Sequence, residues 1–514
     1  MNKEFLVRFP PTRIVLTLAL TLFVWSGAPL ATAAGPARSG KLAFGWAHES
    51  IIPGKPVAVG GQYHTRISGD VLDPLTVTAL AIETRDDAGS IDQAVWVSCD
   101  LVAIRAKTVA GVRKRVAAEV PDLDLRKIIV SATHTHTAPA ITDEDETDFH
   151  PYDFVGSWAY RIPADQKGVM RPLQYLDFLE QQIAKAVVAA WKSRKPGEFS
   201  HVLGNASIAR NRRAVYFDGT TRMYGDTKDP GFSHLEGTSD DSIDLLCFAR
   251  DGKIVGMAIT VYCPSQQTEG LSALSADFWH ETRALLKEQY SPDLFVLGLT
   301  GASGDQSPHI QIDKTAVNDM LARQKLSGRQ ESARRIGRAI DDVIDVAKAS
   351  LRSDVHFEHR VEDMKLPVWQ VPNERFQKAS QVYEEGKDQL EKLASPQYIE
   401  WRVSRTMLAR HKLQQTDPFY KTEIHALRLN DLAMATNPFE LFTDYGLRMK
   451  ARSPATQTSI IQLTADCAAY LPTERAVAGG GYSGRIDDGV VGPEGGRVLV
   501  DETSRMIQAM WPAR

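Results

Sequence analysis

The stretch Ile128-Ile129-Val130-Ser131-Ala132-Thr133-His134-Thr135-His136-Thr137-Ala138 decides how this chain is read. A β-branched apolar run passes directly into a His-Thr-His segment, the pattern of a buried strand that ends at something polar. On an extended backbone residues i and i+2 share a face, so both imidazoles are expected to converge at the carboxyl end of a sheet. Open α/β sheets place their chemistry there. Neutral imidazole is the commonest metal ligand and also the side chain best suited to proton transfer near neutral pH. One histidine could therefore bind a metal while the other handles a proton. In a chain with 13 histidines the same segment also reads as the end of an ordinary amphipathic strand, so its meaning depends on its surroundings.

Outward from this stretch, β-like runs alternate with helical ones, as at residues 75–82, 94–97, 108–119, 127–132 and 173–191. The alternation continues to about residue 461 and predicts an α/β (α+β) fold, a large layered mixed β-sheet domain with helices. Two long polar regions, 314–351 and 373–415, are expected as a helical layer or as helical insertions. Residues 142–148 carry five carboxylates in seven positions and read as a solvated loop bordering a cleft. Gly479-Gly480-Gly481 and Gly495-Gly496 read as a glycine-rich loop region, followed by one more helix over 498–510. At 514 residues the length suits two or three average domains or one large α/β domain, and no internal repeat divides it.

With 43% apolar and 24% charged residues and a formal net charge of −4, the composition is that of a globular protein. It offers no basic stripe for nucleic acid and no polybasic membrane patch. In residues 1–34, Lys3, Arg8 and Arg13 precede the apolar run 14–25, and Ala31-Thr32-Ala33 offers a small-residue cleavage site. This reads as a signal peptide, removed on export to a periplasm or beyond. The apolar run is shorter than the roughly 20 residues that span a bilayer, so no stable membrane insertion is expected. Four cysteines are too few for a disulfide scaffold in a chain of this size. Cys99 and Cys247 lie in or beside apolar runs and read as buried thiols. Cys263 and Cys467 flank the candidate site, and a bond between them stays open.

Four further segments can be read as parts of one site. Gly301-Ala302-Ser303-Gly304-Asp305-Gln306-Ser307-Pro308 follows an apolar run, and such a turn can present backbone N–H groups and a hydroxyl, although most are only turns. Val261-Tyr262-Cys263-Pro264 closes another run, where a cysteine is usually a packed thiol but as a thiolate is a strong zinc ligand. Asn437-Pro438-Phe439-Glu440 places a carboxylate just past a third run. Tyr470 and Tyr482 are candidates for a polar role, against the commoner one of packing with a satisfied hydroxyl.

Together, Thr133-His134-Thr135-His136, Asn211-Arg212, Gly304-Asp305-Gln306-Ser307-Pro308, Glu440 and the Tyr470/Tyr482 pair occur in an order and context that resembles the neutral, non-lysosomal ceramidase family. Asp73-Pro74-Leu75 and Ser98-Cys99-Asp100-Leu101 look like its early part. The resemblance covers roughly residues 40–510 and implies a catalytic domain over 35–514, without the immunoglobulin-like domain that follows it in that family. It implies a zinc-dependent amidohydrolase that cleaves the N-acyl bond of ceramide. Carried over, His134, Glu440 and Tyr470 would bind Zn2+, Ser307 would be the catalytic serine, described as the nucleophile, and His136, Arg212 and Tyr482 would orient the substrate and stabilise charge. Where the family has its second zinc-binding histidine, this chain has Cys263, fourteen residues before Asp277. Either a thiolate there completes the metal site, making the metal a weaker Lewis acid, or the metal site is lost. The alternatives are a divergent metallohydrolase acting on another amide or ester, and a secreted binding protein with an inherited pocket.

Overall fold

The computed structural model describes residues 39–143, 150–153, 161–162, 166–393 and 395–512. The leader expected over 1–34 and most of the acidic loop at 142–148 lie outside them. In chain order the strands that build the two main sheets and the site are β1 (Ser39–Ser50), β2 (Thr76–Asp86), β3 (Gly89–Cys99), β4 (Ile128–Ala132), β5 (Glu198–Asn205), β6 (Arg210–Asn211), β7 (Ser242–Arg250) and β8 (Lys253–Val261). They continue as β9 (Phe295–Thr300), β10 (Gln306–Ser307), β11 (Asp354–Pro367), β12 (Phe419–Leu429), β13 (Leu432–Thr436), β14 (Glu440–Leu441), β15 (Gln457–Ile461) and β16 (Tyr470–Leu471). The helices are α1 (Ala106–Val116), α2 (Pro172–Lys192), α3 (Phe278–Gln289), α4 (Lys314–Gln324), α5 (Gly328–Asp341), α6 (Ile344–Ala349), α7 (Asn373–Gly386), α8 (Ser395–Leu413), α9 (Thr443–Arg452), α10 (Glu474–Gly479) and α11 (Pro493–Gln508).

A mixed sheet runs in the order β15-β13-β12-β11-β1-β2-β3-β4, and a smaller one in the order β9-β8-β7-β5. Within the large sheet only the outer pairs, β3 with β4 and β13 with β15, are parallel, and β8 with β9 is the parallel pair of the small sheet. Alternation along the strands sorts the side chains into layers. Leu80, Ile82 and Leu427 of the large sheet meet Leu246, Phe248 and Leu297 of the small one in a core between the two sheets. Val77, Ala79 and Ala81, on the opposite face of β2, pack in one cluster with Val109 and Val112 of α1 and Leu179 and Ile183 of α2. Ile424 and Ala426 of β12 likewise pack with Tyr445 and Met449 of α9 and with Leu499 and Ile507 of α11. On the small sheet, Ile243, Leu245 and Cys247 share a cluster with Trp279 and Leu286 of α3 and with Ile336 and Ile340 of α5.

The layers are thus helices, sheet, sheet, helices, and the expected mixed α/β architecture is met. Strands covered on both faces read as near-continuous apolar runs, which is why residues 75–82 and 94–97 stand out in the sequence. The polar regions expected as helices form α4 to α6 and α7 to α8. One expectation fails: Gly495-Gly496 is no loop but the first turn of α11, which begins at Pro493. The glycines are there for closeness, since a Cβ at Gly496 would meet the Tyr445 ring at 2.5 Å. All four cysteines are free and buried, so Cys263 and Cys467 are not bonded to each other. None of the described helices is long and apolar enough to cross a membrane.

Candidate active site

The carboxyl ends of β4, β8, β9, β13 and β15, drawn from both sheets, come together at one place. Short polar links hold them there: the carbonyl of Thr133 accepts from Ser265 Oγ at 2.8 Å and from Thr300 Oγ1 at 3.0 Å. Ser131 Oγ lies 2.9 Å from Thr464 Oγ1. The Gln462 amide oxygen accepts from the backbone N–H of Ser303 at 3.0 Å and of Leu441 at 3.1 Å, tying the turn after β9 to β14.

The two histidines converge, but not through an extended backbone. β4 ends at Ala132 and His134 takes a left-handed conformation with φ of +62°. That turn brings His134 Nε2 to 3.4 Å from His136 Nε2 and 3.2 Å from Glu440 Oε2, with all three side chains buried. His134 Nδ1 lies 2.7 Å from the carbonyl oxygen of Val102, which can only accept, so Nδ1 carries a proton and Nε2 faces the carboxylate. The Gln266 amide donates to His136 Nε2 at 2.9 Å, which leaves the His136 proton on Nδ1, 3.7 Å from Glu269 Oε2. Burial pushes the His136 imidazole well below the ordinary histidine range, and the neighbouring His134, Arg212 and Arg66 push the same way. It is therefore neutral at neutral pH.

β14 and β16 are parallel partners that place Glu440 directly beside Tyr470. Tyr470 Oη accepts from Arg212 Nη2 at 2.9 Å, and Tyr482 Oη lies 3.5 Å away. Burial pushes both phenols well up, so both stay protonated. Arg212 Nη2 also donates to the Gly304 carbonyl at 3.0 Å, which joins this group to the turn that carries Ser307.

That turn is clamped by Asp305. Its Oδ2 accepts from Asn211 Nδ2 at 2.8 Å, and its Oδ1 accepts from the Thr443 backbone N–H at 2.9 Å and hydroxyl at 2.8 Å. Gly304 must be glycine, because a Cβ there would overlap the carbonyl oxygen of Glu440. Ser307 sits in β10, opposite Arg210 of β6. Its Oγ accepts from Tyr224 Oη at 3.0 Å and from the His309 backbone N–H at 3.0 Å. Among the described residues no imidazole or carboxylate hydrogen-bonds this hydroxyl. The His309 ring instead pairs with Glu269 at 3.0 Å, so Glu269 spans the space between His309 and His136.

The structure thus gathers His134, His136, Arg212, Glu440, Tyr470 and Tyr482, with Ser307 joined to them through the Gly304 turn. Cys263 does not join this bonded set. Its Sγ lies 3.5 Å from the Pro264 carbonyl, and burial, with Asp277 nearby, pushes the thiol well up, so it is a packed neutral thiol as placed. Sequence reading missed Tyr224, Gln266, Glu269 and His309. Of these only His309 had a local signal, as the residue after Gly-Asp-Gln-Ser-Pro.

Several buried polar atoms here have no hydrogen-bond partner among the described residues: Glu440 Oε1, His136 Nδ1, Gln266 Oε1 and Arg212 Nε. Grouped in one place at the strand ends, they offer donors and acceptors to a ligand or to water. His134 Nε2 facing Glu440 Oε2 is suited to a cation, and their 3.2 Å separation is close to that of two donors sharing a tetrahedral ion with bonds of about 2.1 Å. The phenol of Tyr470 stands next to them. Among the described residues no group of three or more His, Cys, Asp or Glu side chains is arranged to hold a metal ion, so the fit is to the imidazole–carboxylate pair with Tyr470 and not to the four-donor set that includes Cys263.

The fold is similar to that of neutral ceramidase from Pseudomonas aeruginosa, with a TM-score of 0.65 at 16% identity, over 92% of this chain and 76% of that one. A ceramidase complexed with C2 is similar at a TM-score of 0.63 and 14% identity, over the same shares of the two chains. At these identities the likeness defines the fold class, that of the neutral ceramidases. No family profile and no curated protein matches the sequence.

Proposed function

We propose that this chain is an exported hydrolase of N-acyl amides, with a ceramide-like lipid amide as its reference substrate. The observation that carries the reading is the cluster of unsatisfied polar atoms around His134, Glu440, His136 and Arg212, lying where the strand ends of a neutral ceramidase fold meet.

Amide cleavage needs a nucleophile, charge stabilisation on the developing oxyanion and a proton for the leaving amine. Arg212 supplies a fixed positive charge, and Tyr470, neutral and held by Arg212, supplies an O–H donor; such prearranged donors give the largest single contribution in acyl transfer. His136 is neutral in its resting state, with its proton on Nδ1 and its Nε2 lone pair held by the Gln266 amide, so it takes a proton from the attacking water as the Gln266 contact gives way and returns it to the amine. The lone pairs of Ser307 Oγ are taken by Tyr224 and the His309 N–H, so its remaining capacity is as a donor. Ser307 is therefore read as a group that orients the scissile carbonyl, with water as the nucleophile. Zinc, when bound by His134, Glu440 and Tyr470, would supply Lewis acidity and a water of lowered pKa.

The test is turnover on a panel of N-acyl amides that begins with a short-chain fluorescent ceramide, run alongside elemental analysis of protein purified without added metal. Release of fatty acid with close to one zinc per chain supports the proposal. Turnover with an acyl group trapped on Ser307, read by mass spectrometry of quenched protein, would overturn the role given to that serine. Absence of both turnover and zinc uptake would sink the hydrolase reading in favour of a binding protein.

A further inference from the structure

A cavity of about 340 Å³ is lined by Pro308 and His309, the two residues that follow Ser307. This is within the size range of small-molecule sites. Its walls come from the strand carrying Arg210, the turn carrying His309, Gln267, and helices α4 and α5 with Lys314, Glu331 and Arg335. The charges do not balance. Glu331 is the one carboxylate among these lining residues, and it already holds two arginines: Arg334 at 2.6 Å and Arg335 at 2.7 Å. His309 is matched by Glu269 outside the cavity. Arg210 and Lys314 form no ion pair among the described residues, and the carboxylate nearest Arg210, Asp241, lies outside the lining.

Arg210 is the informative member. Its guanidinium makes one hydrogen bond, at 2.6 Å to the carbonyl of Ala209 next to it in the chain, and no ion pair among the described residues. It is half-buried; burial and the neighbouring Arg335 work against its charge, and Asp241, which does not line the cavity, offsets them only in part. A half-buried arginine with most of its donor fork unused offers charged N–H groups to whatever enters the cavity, and an anion satisfies them better than water. Its position is set by register. Arg210 lies directly opposite Ser307 in the antiparallel pair of β6 and β10, and side chains of directly opposed residues leave on the same face, roughly 5 Å apart at their Cβ atoms. The Arg210 side chain therefore starts beside the serine assigned to the scissile carbonyl.

We infer that this cavity binds an anionic group, a carboxylate or a phosphate, carried by the substrate close to its scissile amide, with Arg210 as the principal contact and Lys314 at the rim. The inference rests on the hydrolase reading for its placement and names the substrate class: acidic N-acyl amides, in preference to neutral ones. Arg210 is here a specificity residue.

The experiment compares three matched amides of one acyl chain, an N-acylethanolamine, an N-acylglycine and an N-acyl phosphoethanolamine, on the wild-type chain and on Arg210→Gln and Lys314→Gln. A charge-assisted contact of this kind is expected to favour an acidic substrate over the neutral one by about ten- to a hundredfold in kcat/KM, carried mainly by KM. Arg210→Gln should collapse that ratio, and Lys314→Gln, on an exposed helix end, should reduce it several-fold. Carboxylate over phosphate, or the reverse, tells which anion the cavity is shaped for. Equal turnover of acidic and neutral amides, with ratios unmoved by either variant, overturns the inference and leaves the hydrolase reading standing. If no amide is turned over, the hydrolase reading fails, and binding decides the rest. Protection of the wild-type chain against thermal unfolding by N-acylglycine or by inorganic phosphate, lost in Arg210→Gln and weakened in Lys314→Gln, supports the anion site, and no protection overturns it.

Discussion

Arg212 and Arg213 are neighbours in the chain, both buried, and they are used in opposite ways. Arg213 is saturated: it donates to Glu236 Oε2 at 2.9 Å, to the carbonyls of Tyr482 at 2.6 Å, Ala476 at 3.1 Å and Gly480 at 2.7 Å, and to Ser483 Oγ at 3.3 Å. Arg212 donates twice, to Gly304 and Tyr470, and its Nε has no partner. The first builds the loop that carries Tyr482, and the second is held ready beside it. The kind of residue and its burial are the same for both, so neither property identifies the site. What separates them is the company they keep: Arg213 is spent on a loop, and Arg212 on Tyr470 and the serine turn, beside His134 and Glu440.

The comparison breaks if the two arginines cannot be told apart by experiment. Arg213→Ala leaves Glu236 buried without its cation and should cost about 3–5 kcal/mol of stability, read by denaturant unfolding. A loss below about 1 kcal/mol would show that Arg213 is not the structural member. Arg212→Ala should leave stability within about 1 kcal/mol while lowering kcat on the best amide by about 10²–10³, the usual cost of removing an oxyanion donor. If unfolding and turnover fall together, the distinction is lost. Tyr224→Phe sharpens the contrast at a smaller scale, since it removes one neutral hydrogen bond to Ser307 and should slow turnover about tenfold with little effect on melting.

The smallest expected effect lies in a third cluster, remote from the chemistry. Burial favours the neutral form of Glu423, but the hydrogen bonds from His425 and Arg113 outweigh it and hold the carboxyl at about 2. The folded value is below the ordinary glutamate value of about 4.3, so Glu423 contributes stability above that pH and loses it as the pH falls toward 2. Glu423→Gln should flatten the decline of stability across that window and leave turnover at neutral pH unaltered. Unfolding titrations that coincide with wild type between those pH values would remove Glu423 from the acid response.

How much of this was legible in the sequence depends on range. Strands sandwiched between layers carry their own signal, because both faces of Thr76-Val77-Thr78-Ala79-Leu80-Ala81-Ile82 meet apolar neighbours and the run needs no partner to be recognised. Periodicity and spacing did not join Glu440 to Tyr470; the resemblance alone grouped them, and the parallel pairing of β14 with β16 is what sets them side by side. Tyr224, Gln266 and Glu269 come from irregular segments with no period and no motif, and they reach the site through contacts far apart in the chain. The error at Gly495-Gly496 has a similar origin, since paired glycines mean a turn locally and a close approach tertiarily. The left-handed turn at His134 was equally hidden, as histidine does not announce a positive φ.

Gly304 stands against the backbone of Glu440 with no room for a side chain between them. The serine turn and the acidic strand end thus behave as a single casting: a substitution that adds bulk at 304 displaces the residue facing His134, and repair would have to come from the 440 segment. Over evolutionary time those two positions are expected to change together or not at all, whatever substrate the rest of the pocket is reshaped to accept.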